Sequence, residues 1–310
     1  MFRSCVLGLA LTVLVVLPGS AQDVSFPITV EHALGEVTVP ETPERIVVLS
    51  NRDADTLLAL GVQPVAIRSI YDFEKGVGPW SEDLLTTEPT VWIGRELNFE
   101  AIASVHPDLI IYATSGGDQS EYERLSQIAP TLSLPKGAVP WGAKVEESTL
   151  AIAEVLGRRA EGEALLAELD AYLADVKSAH PEFAGKTAAY LDIYTGGISS
   201  YSEENIVNQT LYAIGFEPVA GAASIPEDDS SINVSAELLA DHVGDITLIF
   251  PYGRTMDELV AETPTLAMVP QAQTGGLIVL DNLAFSNSSV VSIPYALNQL
   301  VPTFVEVLAK

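Results

Sequence analysis

The chain is poor in cysteine, histidine and positive charge. Its one cysteine is Cys5, and 15 Lys and Arg stand against 42 Asp and Glu, a formal charge of −27. A surplus of that sign repels phosphate backbones and anionic lipid surfaces, so nucleic acid is not an expected partner. The four histidines, His32, His106, His180 and His242, are scattered. His106 and His242 fall at the ends of equivalent helices, away from strand ends, so no protein-held metal is expected. Also absent are a Gly-x-Ser-x-Gly elbow, a Walker loop, a Gly-x-Gly-x-x-Gly turn and a His-Glu-x-x-His pair. Beyond residue 21 no apolar run approaches the ~20 residues that span a bilayer. The adjacent acids Asp228-Asp229 and Glu203-Glu204 lie in polar stretches and read as solvated surface, which leaves a secreted α/β enzyme as a weak alternative. Disorder is excluded, because 48% of the residues are hydrophobic.

What is present begins with an export signal. Arg3 precedes an apolar run from Val6 to Leu17, and Gly19 and Ala21 supply small residues at −3 and −1. Cleavage after Ala21 would remove Cys5, leaving no disulfide and no thiol. No cysteine follows the apolar run, so a cleaved, non-lipidated periplasmic protein is expected.

From Ile28 to Val39 the residues alternate around Gly35, which predicts a hairpin. Short apolar runs at 46–49, 65–67, 109–112, 187–193 and 246–250 then alternate with helical patterns. That alternation predicts an α/β fold with mostly parallel, buried sheets. Between the halves, 145–180 is rich in Ala, Leu and Glu, breaks near Gly157 and ends at Pro181. Its second part predicts a helix of about 30 Å. The expected organisation is a signal peptide at 1–21, an N-terminal lobe at 22–144, a helical segment at 145–180 and a C-terminal lobe at 181–310.

The second half repeats the first. Leu57 to Ala66 matches Leu211 to Ala220 at six positions of ten. Asn98, Glu100, Asp108, Asp118 and Glu121 correspond in spacing to Ser235, Glu237, Asp245, Thr255 and Glu258. Asp118 and Thr255 each have Glu three residues on, the capping-box spacing. The two offsets, 154 and 137, place an insertion in the first half, assigned to 70–89.

Two βα lobes joined by a helix make a cleft, and ligands of open parallel sheets lie at the carboxyl ends of strands. Arg52, Arg68, Arg95 and Arg254 all follow strand ends. Arginine forks suit an anionic ligand. Tyr112, Tyr194, Tyr252, Trp80 and Trp141 are candidate apolar walls with polar tips.

The hairpin followed by Pro43 to Ser50, the run Gly94 to Ile102, the stretch Pro107 to Ile111 and Ile128-Ala129-Pro130 together resemble the ferric-siderophore binding proteins of bacterial ABC importers. These are helix-linked periplasmic binding proteins, with haem- and cobalamin-binding relatives. The resemblance implies two Rossmann-like lobes on a single rigid helix with small hinge motion. It implies a non-catalytic monomer that captures an iron(III)-siderophore complex, holds no cofactor of its own and delivers the chelate to an inner-membrane permease dimer. It also implies that Arg95 contacts the iron-bound oxygens, and that Glu121 and Glu258 meet permease arginines. Glu123 and Asp257 rival those two glutamates, whose alternative role is helix capping. Haem remains the second reading, with Tyr194 or Tyr252 as axial ligand.

Overall fold

A computed structural model describes residues 25–114, 117–226, 229–235, 237–281 and 283–310. The expected signal peptide and Asp228 lie outside them. The hairpin forms as β1 (Ile28–His32) and β2 (Gly35–Val39), antiparallel with Val30 opposite Val37. The next five strands are β3 (Ile46–Val48), β4 (Ala66–Ser69), β5 (Thr90–Ile93), β6 (Leu109–Ile111) and β7 (Thr131–Leu132). They make one parallel sheet in the order β5-β4-β3-β6-β7. Helices cover both faces of the sheet. Its central strands β3 and β6 are therefore buried throughout, which is why they read as unbroken Ile, Leu and Val.

The second sheet is built from β8 (Thr187–Tyr194), β9 (Gly197–Tyr201), β10 (Glu217–Pro218), β11 (Ser231–Asn233), β12 (Ile246–Phe250) and β13 (Leu277–Val279). β12 lies parallel between β8 and β13, and β10 pairs parallel with the start of β8. The repeat is therefore visible in space: β10-β8-β12-β13 follows the pattern of β4-β3-β6-β7. One difference matters for the site. The chain turns back at Gly196, so β9 runs antiparallel along β8 and β11 antiparallel along β9. Tyr194 is the last residue of β8, at this hairpin.

Capping side chains start the helices at Asp118 and Thr255, where the spacing predicts, and also at Ser50 and Asn98. Ser50, Asn98, Asp118 and Thr255 each accept a backbone N–H of the first turn. Of the two predicted boxes, that of Thr255 and Glu258 is complete; the Glu121 carboxylate turns to the Tyr112 hydroxyl, 2.8 Å away.

Between the sheets run two helices, Val145–Val155 and Arg159–Ala179. Ile152, Ala153 and Val155 of the first join the core of the first sheet, and Leu169 of the second joins that of the other. A Cβ on Gly162 would stand 2.5 Å from that of Ala153, so the close crossing of these helices requires glycine there. The segment 70–89 between β4 and β5 sends Trp80 into the core of the second sheet, 5.9 Å from the Tyr295 ring. Among the described residues no helix is long and apolar enough to cross a membrane.

Candidate ligand-binding site

A cavity of about 290 Å³ lies where the carboxyl ends of the two sheets face each other. The first sheet contributes Arg52, Tyr71 and Arg95, the second Tyr190, Asp192, Tyr201, Phe250 and Tyr252, and the segment before the paired helices contributes Trp141. Trp141 and Tyr252 are exposed aromatics, and both hold the left-handed backbone conformation, with φ of 62° and 49°. Bulky residues rarely adopt it, and such strain concentrates at binding sites. The cavity continues past Trp141 to Lys144, whose Nζ lies 2.7 Å from Glu204 Oε2 across the cleft.

The four arginines do different things, and Arg68 lies inside β4 rather than beyond its end. Arg95 follows Gly94, whose φ of 128° turns the chain off β5, and its exposed guanidinium makes no hydrogen bond or ion pair among the described residues. Its charge reaches the phenols of Tyr71 and Tyr252. Arg68 is buried beneath it: Nε donates to the Leu49 carbonyl at 2.8 Å, a terminal nitrogen donates to the Arg95 carbonyl at 2.7 Å, and the guanidinium sits 5.5 Å from the Tyr112 ring centre. Arg68 thus fixes the backbone that carries Arg95. Arg52 lines the cavity, but its guanidinium donates to the carbonyls of Asn287 and Ala143, each at 2.8 Å, and so bolts the two halves together. Arg254 is not brought to the cavity. It donates to the carbonyls of Pro251 and Ile193 and pairs with Glu262, which braces the turn that presents Tyr252.

Three of the expected aromatics also lie elsewhere. Trp80 donates to Asp55 in the interior at 2.7 Å, Tyr112 is buried against Arg68 and Glu121, and Tyr194 donates to Asn233 at 2.6 Å. The inserted segment delivers Tyr71 to the cavity and Trp80 to the core, a division that composition alone does not reveal.

A family model described as periplasmic binding protein matches residues 46–284. The chain belongs to this family. It is 30% identical over 193 residues to the probable siderophore-binding lipoprotein YfiY of Bacillus subtilis, covering 61% of this chain and 57% of that one. With the Fe(3+) dicitrate-binding periplasmic protein FecB of Escherichia coli it shares 31% identity over 204 residues, 65% of this chain and 66% of the relative. The chain thus spans less than two thirds of each of these curated relatives. Among solved structures, a periplasmic solute binding protein from Mycobacterium smegmatis superposes with a TM-score of 0.79 at 28% identity, covering 91% of this chain and 98% of the other.

In this periplasmic binding protein the second wall of the cavity centres on a group that strand-end reasoning missed. Asp192 is buried inside β8, and its Oδ2 accepts the hydroxyls of Tyr201 and Tyr252, each at 2.9 Å. Burial pushes its carboxyl above the usual range, against the pull of the hydrogen bonds from Tyr201 and Tyr252. Burial and the neighbouring carboxylate push the Tyr252 phenol up to about 12. A signal for Asp192 was present, since a charged residue inside an apolar run of a central strand is rarely structural filler.

Proposed function

We propose that the protein captures a ferric siderophore between its lobes and delivers it to an ABC permease in the inner membrane. Residues 22–144 and 181–310 form the lobes, 145–180 links them, and 1–21 directs export as a cleavable, non-lipidated leader. The observation that carries the reading is Arg95: an unpaired guanidinium, set beside exposed aromatics in a cleft of this family, suits the oxygen-rich face of an iron chelate. Family membership and the siderophore- and dicitrate-binding names of the relatives support the same ligand class. The siderophore chelates the iron, so no side chain of the protein needs to ligate it, and the protein catalyses nothing and works as a monomer. Tyr252 argues against haem. Its hydroxyl donates to Asp192 at 2.9 Å, a bond that ligation of haem iron through this oxygen would have to give up. Purified protein is titrated with ferric dicitrate, ferrichrome, ferric enterobactin, haem and cobalamin while Trp emission and visible absorbance are followed. Saturable quenching by a ferric siderophore is expected, at micromolar to nanomolar Kd, or about −8 to −12 kcal/mol. Response to haem or cobalamin alone overturns the reading.

A further inference from the structure

The two walls of the cavity carry opposite chemistry. On one side stands Arg95, a donor with positive charge. On the other stands Asp192, more than nine-tenths buried, in no ion pair among the described residues, with Oδ1 lacking a hydrogen-bond partner there. The hydroxyls of Tyr201 and Tyr252 donate to Oδ2, so their remaining lone pairs add acceptors to the same wall. Tyr190 and Tyr201, stacked 5.2 Å apart, hold this cluster rigid.

A buried carboxylate is costly unless a cation or several donors meet it. The phenols satisfy one oxygen, and no arginine or lysine of the described chain supplies the counter-charge. A uniformly anionic ligand would face Asp192 with like charge. We propose that Asp192 is a specificity-determining residue, selecting iron chelates that carry an ammonium or N–H donor arm on the face opposite the oxygens taken by Arg95. This deepens the siderophore reading and rests on it. A cationic arm entering the cleft supplies the missing charge at the moment of binding, so the selection is expressed as affinity.

The test uses ferrioxamine B, a ferric tris-hydroxamate with one terminal ammonium, the same chelate with that amine acetylated, and ferric dicitrate, which is anionic throughout. Dissociation constants are measured for the wild type and for Asp192→Asn, which keeps an oxygen for Tyr201 and Tyr252 but removes the charge. The ammonium form is expected to bind the wild type at least tenfold more tightly than the acetylated form, and Asp192→Asn to bring the ratio within twofold. Equal wild-type affinity for the two forms, tighter binding of ferric dicitrate than of either, or a ratio that persists in Asp192→Asn overturns the proposal while leaving the siderophore reading intact. The wild-type ratio decides even if the variant fails to fold. Binding of none of these or the other ferric chelates, with haem or cobalamin taken up, overturns both.

Discussion

Asn287 donates its side-chain amide to the carboxylate of Asp55 across 2.7 Å, although 232 residues separate them in the chain. Asp55 stands in the first helix of the N-terminal half and Asn287 beyond the last strand of the other. The same carboxylate accepts from Trp80, Ser81 and Ser289, so one buried acid gathers donors from two distant segments. Together with Arg52 it forms a polar lock beneath the cleft, which limits how far the halves can move apart.

Replacing Asp55 by Ala strands those four buried donors and should lower stability by about 3 kcal/mol at pH 7. Burial raises the Asp55 carboxyl from 3.8 to about 6. The native state therefore holds this proton more tightly than the unfolded chain does. Its contribution is largest below about pH 4, declines as the pH rises to about 6, and is constant above, a change of roughly 3 kcal/mol. Urea unfolding of wild type and Asp55→Ala between pH 4 and 7.5 should give a stability gap that narrows with rising pH. A gap independent of pH would place the titration elsewhere.

Trp141 is the tryptophan at the cavity mouth, while Trp80 is buried and Trp92 lies in β5. Ligand-induced quenching should fall by more than half in Trp141→Phe and stay unchanged in Trp92→Phe. Steady-state emission titrations with a bound ferric chelate make the comparison directly.

Arg95 and Arg254 should separate binding from folding. Arg95→Ala removes a solvent-facing side chain with no partner among the described residues, so Tm should hold while Kd weakens at least tenfold. Arg254→Ala removes an ion pair and two carbonyl contacts, so Tm should fall. Its effect on Kd should match that of Tyr252→Phe, because Arg254 acts on the ligand only through the turn bearing Tyr252. Calorimetry and quenching titrations on the same preparations read both quantities.

The alternation of short apolar runs and helices made the doubly repeated α/β architecture legible, because buried parallel strands and capped helices leave local marks. Ser50, Asn98 and Thr255 act through neighbours three residues away, and such signals survive in sequence. The site was less legible because its assignments depend on where a side chain turns after leaving the backbone. Arg52, Arg68, Arg95 and Arg254 occupy similar sequence contexts, yet one faces the cavity unpaired, one bolts the halves and two brace backbone. Asp192 escaped because the strand-end rule looks past the strand, whereas β9 folds back and makes an interior position of β8 part of the wall. The destination of Trp80 depends on partners distant in the chain, Asp55 and Tyr295, which the composition of the inserted segment does not reveal.

The glutamates proposed to meet the permease have competing local bonds, which makes their role separable by mutation. Glu258 is exposed, and its carboxylate accepts from the Thr255 N–H and hydroxyl, both at 2.8 Å; these bonds hold it below the usual carboxylate range. Glu121 accepts from the Tyr112 hydroxyl instead. If docking is their function, Glu121→Arg combined with Glu258→Arg should leave the ligand Kd within twofold and cut uptake in permease-containing vesicles at least tenfold. Charge reversal repels a basic permease surface, and such like-charge contacts across an interface are costly. Thr255→Ala supplies the control for capping: it breaks the same box at a cost of about 1 kcal/mol and keeps both carboxylates. Full uptake by Thr255→Ala beside failed uptake by the double variant assigns the glutamates to docking. Equal losses in the two would reduce Glu258 to a helix cap, and attention would pass to Glu123 and Asp257 on the same helices.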